Sequence, residues 1–244
     1  MNFLEHCLIP DWPVPRNVRS LQTTRIGGQS VAPYDSFNLG DHVGDVPQTV
    51  AHNRQRLAQL LPSEPVWLQQ AHGIVVANAD RADCAQQADA AVARQRGAVC
   101  VVMTADCLPV LLCDEAGTVI GAAHAGWKGL AAGVIEATVL EMGIAPQKLL
   151  AWLGPAISQR AFEVGEEVKN IFVAKNAQAS EAFLAGNNGK WMADIYLLAH
   201  HRLHALGISR VYGAEHCTYS DSARFFSYRR ENVTGRMGTF IWLE

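Results

Sequence analysis

The sequence predicts a mixed α/β fold with helices packed outside layers of sheet, and three stretches carry that expectation. From Val99 to Ala123, apolar and β-branched runs alternate with short polar turns, the pattern of buried strands. After His124 the chain turns to A-G-W-K-G and then to apolar residues at helical spacing from Leu130 to Met142, with Gly143 as the stop. Leu149 to Leu153 reads as a further strand and Asp194 to Leu206 as a helix, so both element types recur through the second half.

In chain order, Asp45 followed by Pro47, Val50, Leu57, Leu60 and Leu61 predicts a capped amphipathic helix. Val66 to Gln70 and Ile74 to Ala79 read as strands around His72-Gly73, which places His72 on a turn. Cys107, in T-A-D-C-L-P, and His124, in A-A-H-A-G-W-K-G, fall at strand ends. Phe162 to Val173 is a predicted helix, Glu181 to Gly189 an exposed loop, and Thr239 to Leu243 a closing strand. No repeat, low-complexity tract or linker interrupts the 244 residues, so one domain spanning 1–244 is expected.

Composition narrows the function classes. A hydrophobic content of 49% with 18% charged residues belongs to a globular chain rather than a disordered one. The net charge is −3 and only Arg229 and Arg230 are adjacent basic residues, so the field that draws nucleic acid is missing. Met1 to Pro15 carries no basic segment followed by an apolar run, and no uncharged stretch approaches the roughly 20 residues a bilayer requires. A cytoplasmic location without membrane contact is the expectation. There the six cysteines, at 7, 84, 100, 107, 113 and 217, stay reduced. Oligomeric state is not legible.

A thiol or imidazole at a strand end is held by rigid backbone, which makes His72, Cys107 and His124 candidates for one site, although each alone also reads as a packed core residue. Asp106 reads equally as a support for Cys107 or a turn residue. Trp127 is a candidate stacking surface or simple packing, and His216-Cys217 a candidate pair near the site or a packed one. His200 and His204, four apart on a predicted helix, have ligand spacing without the glutamate of H-E-x-x-H and read as a solvated face.

The segments T-R-I-G-G, Y-D-S-F-N-L-G, W-L-Q-Q-A-H-G, V-M-T-A-D-C-L-P-V-L, A-A-H-A-G-W-K-G-L, W-L-G-P-A-I, F-F-S-Y-R-R and T-G-R-M together resemble the YfiH/YlmD family, once described as multicopper polyphenol oxidases of the laccase-domain class. The resemblance spans nearly the whole chain. It implies a layered α/β/β/α arrangement of mixed sheets, and one zinc bound by His72, Cys107 and His124. One thiolate and two imidazoles suit zinc and leave a fourth position open for chemistry, while copper(I) fits the same soft donors.

Three reaction classes follow from the resemblance. The first is purine nucleoside metabolism: phosphorolysis of adenosine, inosine and methylthioadenosine, with adenosine deamination by activated water. Arg25, Arg54 and Arg229 are its candidate anion or substrate contacts, and Asn38 either a polar contact or a turn residue. The H-x-E and P-C-x-x-C signature of cytidine-type deaminases is absent. The second, oxidation of phenols at several coppers, needs more ligands than nine histidines without an H-x-H readily supply. The third is an amide hydrolase that edits peptidoglycan precursors through metal-bound water or through Cys107 as nucleophile. A structural metal site would instead need a fourth protein ligand, with Cys217 or His216 the likeliest donors.

Overall fold

The computed structural model describes residues 3–81 and 87–244; Cys84 lies outside them. The first half holds β1 (Cys7–Leu8), β2 (Val18–Thr23), α1 (Pro47–Ala58), β3 (Val76–Asn78), β4 (Ala90–Ala93) and β5 (Val99–Thr104). Next come β6 (Leu108–Asp114), β7 (Ile120–Ala125), α2 (Trp127–Ala132), α3 (Val134–Met142) and β8 (Leu149–Leu153). The chain continues with β9 (Glu163–Val164), α4 (Glu166–Lys175), β10 (Phe183–Ala185), β11 (Trp191–Ala193) and α5 (Ile195–Leu206). It closes with β12 (Arg210–Gly213), α6 (Tyr228–Glu231) and β13 (Met237–Leu243).

Two sheets form the centre. One is antiparallel in the order β1-β2-β13-β5. The other runs β12-β8-β6-β7-β4-β3, antiparallel inside with parallel pairs at both edges. Because strand residues point alternately to opposite faces, each strand feeds two cores. On β6, Leu108, Val110 and Leu112 pack toward helices α2 to α5, whereas Leu111 and Cys113 pack toward the other sheet. On β5, Cys100 and Val102 meet that inter-sheet core, while Val99, Val101 and Met103 turn outward to Leu57 of α1. Helices, sheet, sheet and helix are thus stacked in the α/β/β/α order that the resemblance implies, and strands buried on both faces explain the unbroken apolar runs. A small third sheet, β10-β11-β9, lies beside α4.

Several local expectations shift for identifiable reasons. Val66 to Gln70 makes one bridge, Val66 to Cys100, rather than a strand. The Gln70 side chain takes the place of a ladder: its Nε2 donates to the Met103 carbonyl at 2.8 Å and its Oε1 accepts from the Met103 N–H at 2.7 Å. α1 starts at Pro47 without a side-chain cap, because the Asp45 carboxylate is taken by Val46 N–H, Ser30 and Asn38. The helix after His124 is broken in two by Gly133, whose φ of 111° is open to glycine but strained for other residues. α4 begins only at Glu166, since Glu163 and Val164 pair with β11. The expected loop from Glu181 to Gly189 contains β10, paired with β11, and a buried Phe183.

Candidate functional site

Cys107 sits where the chain crosses from β5 in one central sheet to β6 in the other. Asp106 makes that turn at φ 91° and is buried. Its Oδ1 accepts from the Thr218 hydroxyl at 2.6 Å, and its Oδ2 from the Ser227 hydroxyl at 3.0 Å and from the Arg229 N–H at 2.7 Å. Asp106 therefore shapes the turn and fastens it to the start of α6; no bond to a ring or thiol of the cluster is formed.

His124, on β7 opposite Pro109 of β6, is buried. Its Nδ1 lies 2.8 Å from Asp89 Oδ1, which leaves Nε2 for the centre. The same carboxylate accepts the N–H groups of Ala71 at 3.1 Å, His72 at 2.8 Å and Gly73 at 2.6 Å. One buried acid thus fixes the turn carrying His72, at φ 59°, and orients the His124 ring, the support that metal-binding histidines usually have.

The ligand atoms of His72, Cys107 and His124 all lie within 4.8 Å of one another, with Cys107 Sγ 3.7 Å from His72 Nε2. Two donors at zinc bond lengths of 2.0 to 2.3 Å across a tetrahedral angle stand about 3.5 Å apart, so the donor set fits zinc in both chemistry and spacing. Gly126 completes the fit: a Cβ there would approach Cys107 Sγ and His72 Cδ2 to 2.8 Å. Burial pushes the Cys107 thiol up, but the imidazoles of His124 and then His72 outweigh it and bring the thiol down to about 6. Burial likewise opposes charge on His124, yet Cys107 and Asp89 raise it to about 9. Both shifts run in the direction of a thiolate beside a protonated imidazole, each charge favouring the other.

The cluster opens into a cleft of about 600 Å³. Trp127, Phe162 and Tyr228 give it aromatic walls, and Lys128, Arg229 and Arg236 line it with cations. Arg229 is steadied by donating to the Glu163 carbonyl at 2.9 Å, and Arg236 by donating to the carbonyls of Thr234 and Gly235 at 2.9 and 3.0 Å.

The other sequence candidates are placed elsewhere. Arg25 does not line the cleft: it is tied to Asp35 and Glu231. Arg54 donates twice to the Leu39 carbonyl and lies over the Trp67 ring, 4.0 Å from its centroid. Asn38 is fully buried, yet its Oδ1 accepts the Arg236 N–H at 2.8 Å, so it reaches the cleft through Arg236. Cys217 is bonded to Ser158 and the His216 ring packs on Phe225, and neither joins the three-donor cluster. Among the described residues that cluster is the one group of three or more such donors. Sequence reasoning passed over Asp89, Lys128 and Arg236. An acid heading the apolar run A-A-V-A was a signal for the first, and the T-G-R-M segment for the last.

A layered α/β protein with one thiolate and two imidazoles beneath a cationic cleft is the class that fold and site define. The family model described as multi-copper polyphenol oxidoreductase laccase matches residues 19–244, and the chain belongs to this laccase-domain family, that of YfiH and YlmD. A Pseudomonas aeruginosa protein named purine nucleoside phosphorylase is 54% identical over 238 residues, 97% of this chain and 98% of its own length. YfiH of Escherichia coli, also named purine nucleoside phosphorylase, is 52% identical over 97% of this chain and 98% of its own. A crystal structure of a Neisseria meningitidis protein superposes with a TM-score of 0.95 at 48% identity, covering 98% of this chain and 99% of that one. No helix among the described residues is long and apolar enough to cross a membrane.

Proposed function

We propose that this chain is a zinc-dependent purine nucleoside phosphorylase acting on adenosine, inosine or methylthioadenosine. The observation that carries the reading is a three-donor centre at the base of a cleft whose walls hold both aromatic rings and cations. Full-length relatives named for this activity support it. Zinc held by His72, Cys107 and His124 would supply a Lewis acid at the base of the cleft.

The chain's own residues supply the rest. Arg229, Arg236 and Lys128 bind the phosphate dianion, the fixed fork of each arginine matching its oxygens. Trp127, Phe162 and Tyr228 present apolar faces to the purine and exclude water, which keeps hydrolysis from competing with phosphate. In the reaction an oxygen of the hydrogenphosphate dianion bonds to C1′ of the ribose as the glycosidic C–N bond breaks, and the departing purine takes up the proton that the hydrogenphosphate gives up. Holding phosphate beside the sugar is the main contribution asked of the cations.

Incubation of the purified protein with inosine or adenosine, with and without phosphate, tests this. Ribose 1-phosphate and free base appearing only with phosphate is the expected result, and Cys107→Ala should lose both zinc and turnover. Inosine formed from adenosine without phosphate would point to deamination instead. Inert nucleosides with cleavage of a muropeptide precursor would replace the proposal by the amide hydrolase.

A further inference from the structure

The family description speaks of several coppers, whereas the cleft gathers one set of three donors. A second group of imidazoles lies outside the cleft. His200, His201 and His204 all line a separate, open surface pocket of about 560 Å³ along α5, together with Asn176 and Gln178. It shares no residue with the cleft.

We infer that His200 and His204 form a second metal site, one that takes a single divalent transition-metal ion and holds copper(II) most tightly. Residues four apart on a helix stand on one face with Cβ atoms about 5 to 6 Å apart, the spacing by which two imidazoles chelate one ion. Ile195 to Leu206 is continuous α-helix, so that spacing is rigid. The rings are uncommitted: the histidine ion pairs among the described residues are those of His42 and His124. The neighbouring His201 has a buried Nδ1 with no hydrogen-bond partner and is not counted as a ligand. Imidazole donors with open positions for water suit copper(II) above the other first-row divalent ions. No carboxylate or thiolate is needed, and none is claimed. The site is a binding position and not a reaction centre, and it gives this chain a way to carry a second metal ion without any further ligands in the cleft.

Copper(II) is titrated into the Cys107→Ser protein, whose cleft has lost its thiol but keeps His72 and His124, with and without His200→Gln/His204→Gln, and zinc(II) serves as the redox-silent control. The expected result is one copper(II) per chain retained through gel filtration, with imidazole nitrogen couplings in its electron paramagnetic resonance spectrum. His204→Gln should weaken that binding about tenfold or more, and His200→Gln/His204→Gln should abolish it. The double substitution in the otherwise native chain should leave cleft zinc and nucleoside turnover unchanged. Copper retained equally in Cys107→Ser with and without the double substitution would overturn the site, as would a spectrum lacking nitrogen couplings.

Discussion

Gly126 decides how closely the chain can pass over the centre. Its missing side chain is what leaves room for Cys107 Sγ and the His72 ring, each 2.8 Å from where a Cβ would stand. Both contacts, one to sulfur and one to a ring carbon, are shorter than van der Waals packing tolerates, and both neighbours are fixed, Cys107 by the Asp106 turn and His72 by Asp89. Gly126→Ala should therefore displace a ligand and not merely crowd it. The expected outcome is loss of most of the bound zinc with little change in the far-ultraviolet circular dichroism. Full zinc content in the purified variant would show that the backbone yields more than this geometry allows. The glycine itself was visible in A-G-W-K-G; what it faces was not, because His72 and Cys107 are brought to it by separate loops.

At the scale of elements, α6 and its surroundings tie the cleft together. Asp106 holds the Cys107 turn and accepts from the Ser227 hydroxyl and the Arg229 N–H at the start of α6, so it sets where Arg229 stands relative to the centre. Asp106→Asn keeps the size but presents an amide N–H to at least one of three donors. We expect a phosphate KM raised by about tenfold, the loss of roughly one charge-assisted hydrogen bond, with zinc content preserved. An unchanged phosphate KM would separate the turn from the cleft. At the other end of α6, Glu231 accepts from Thr234 at 2.6 Å, Arg25 at 3.0 Å and Arg230 at 3.1 Å. Burial alone would raise its carboxyl, but Thr234, Arg25 and Arg230 lower it below the ordinary glutamate value. A folded value beneath the unfolded one means stability that is complete above about pH 4.3 and fades as pH falls through the folded value. Glu231→Gln should thus cost about 1 kcal/mol at pH 7, and the gap to wild type should narrow in paired thermal melts as the pH is taken down through the folded value. A gap independent of pH would remove the charge from the explanation.

For the whole molecule, the layers were legible and their meeting place was not. Strands β5 to β8 could be read because apolar runs buried on both faces have no polar alternation, and α5 because Asp194 caps a helix that ends at Gly207. β4 escaped notice, since Ala90 to Ala93 is too small and too short to signal a strand without its partners. The convergence of His72, Cys107 and His124 entered as family resemblance; spacing alone left it weak, as 35 positions separate His72 from Cys107. That convergence has a thermodynamic consequence, because the ligands come from a loop, a sheet crossover and a strand that separate on unfolding. Zinc should bind the folded chain far better than the unfolded one, and at 100 times the dissociation constant this linkage contributes about 2.7 kcal/mol. For a chain of this length that corresponds to a rise of roughly 5 to 10 °C in melting temperature. Chelation should remove the rise in the native protein and have no such effect on Cys107→Ala, where the ion has lost its thiolate. An equal shift in both proteins would mean that the stabilising ion sits elsewhere, and equal melting temperatures with and without zinc would mean that the cluster does not bind it.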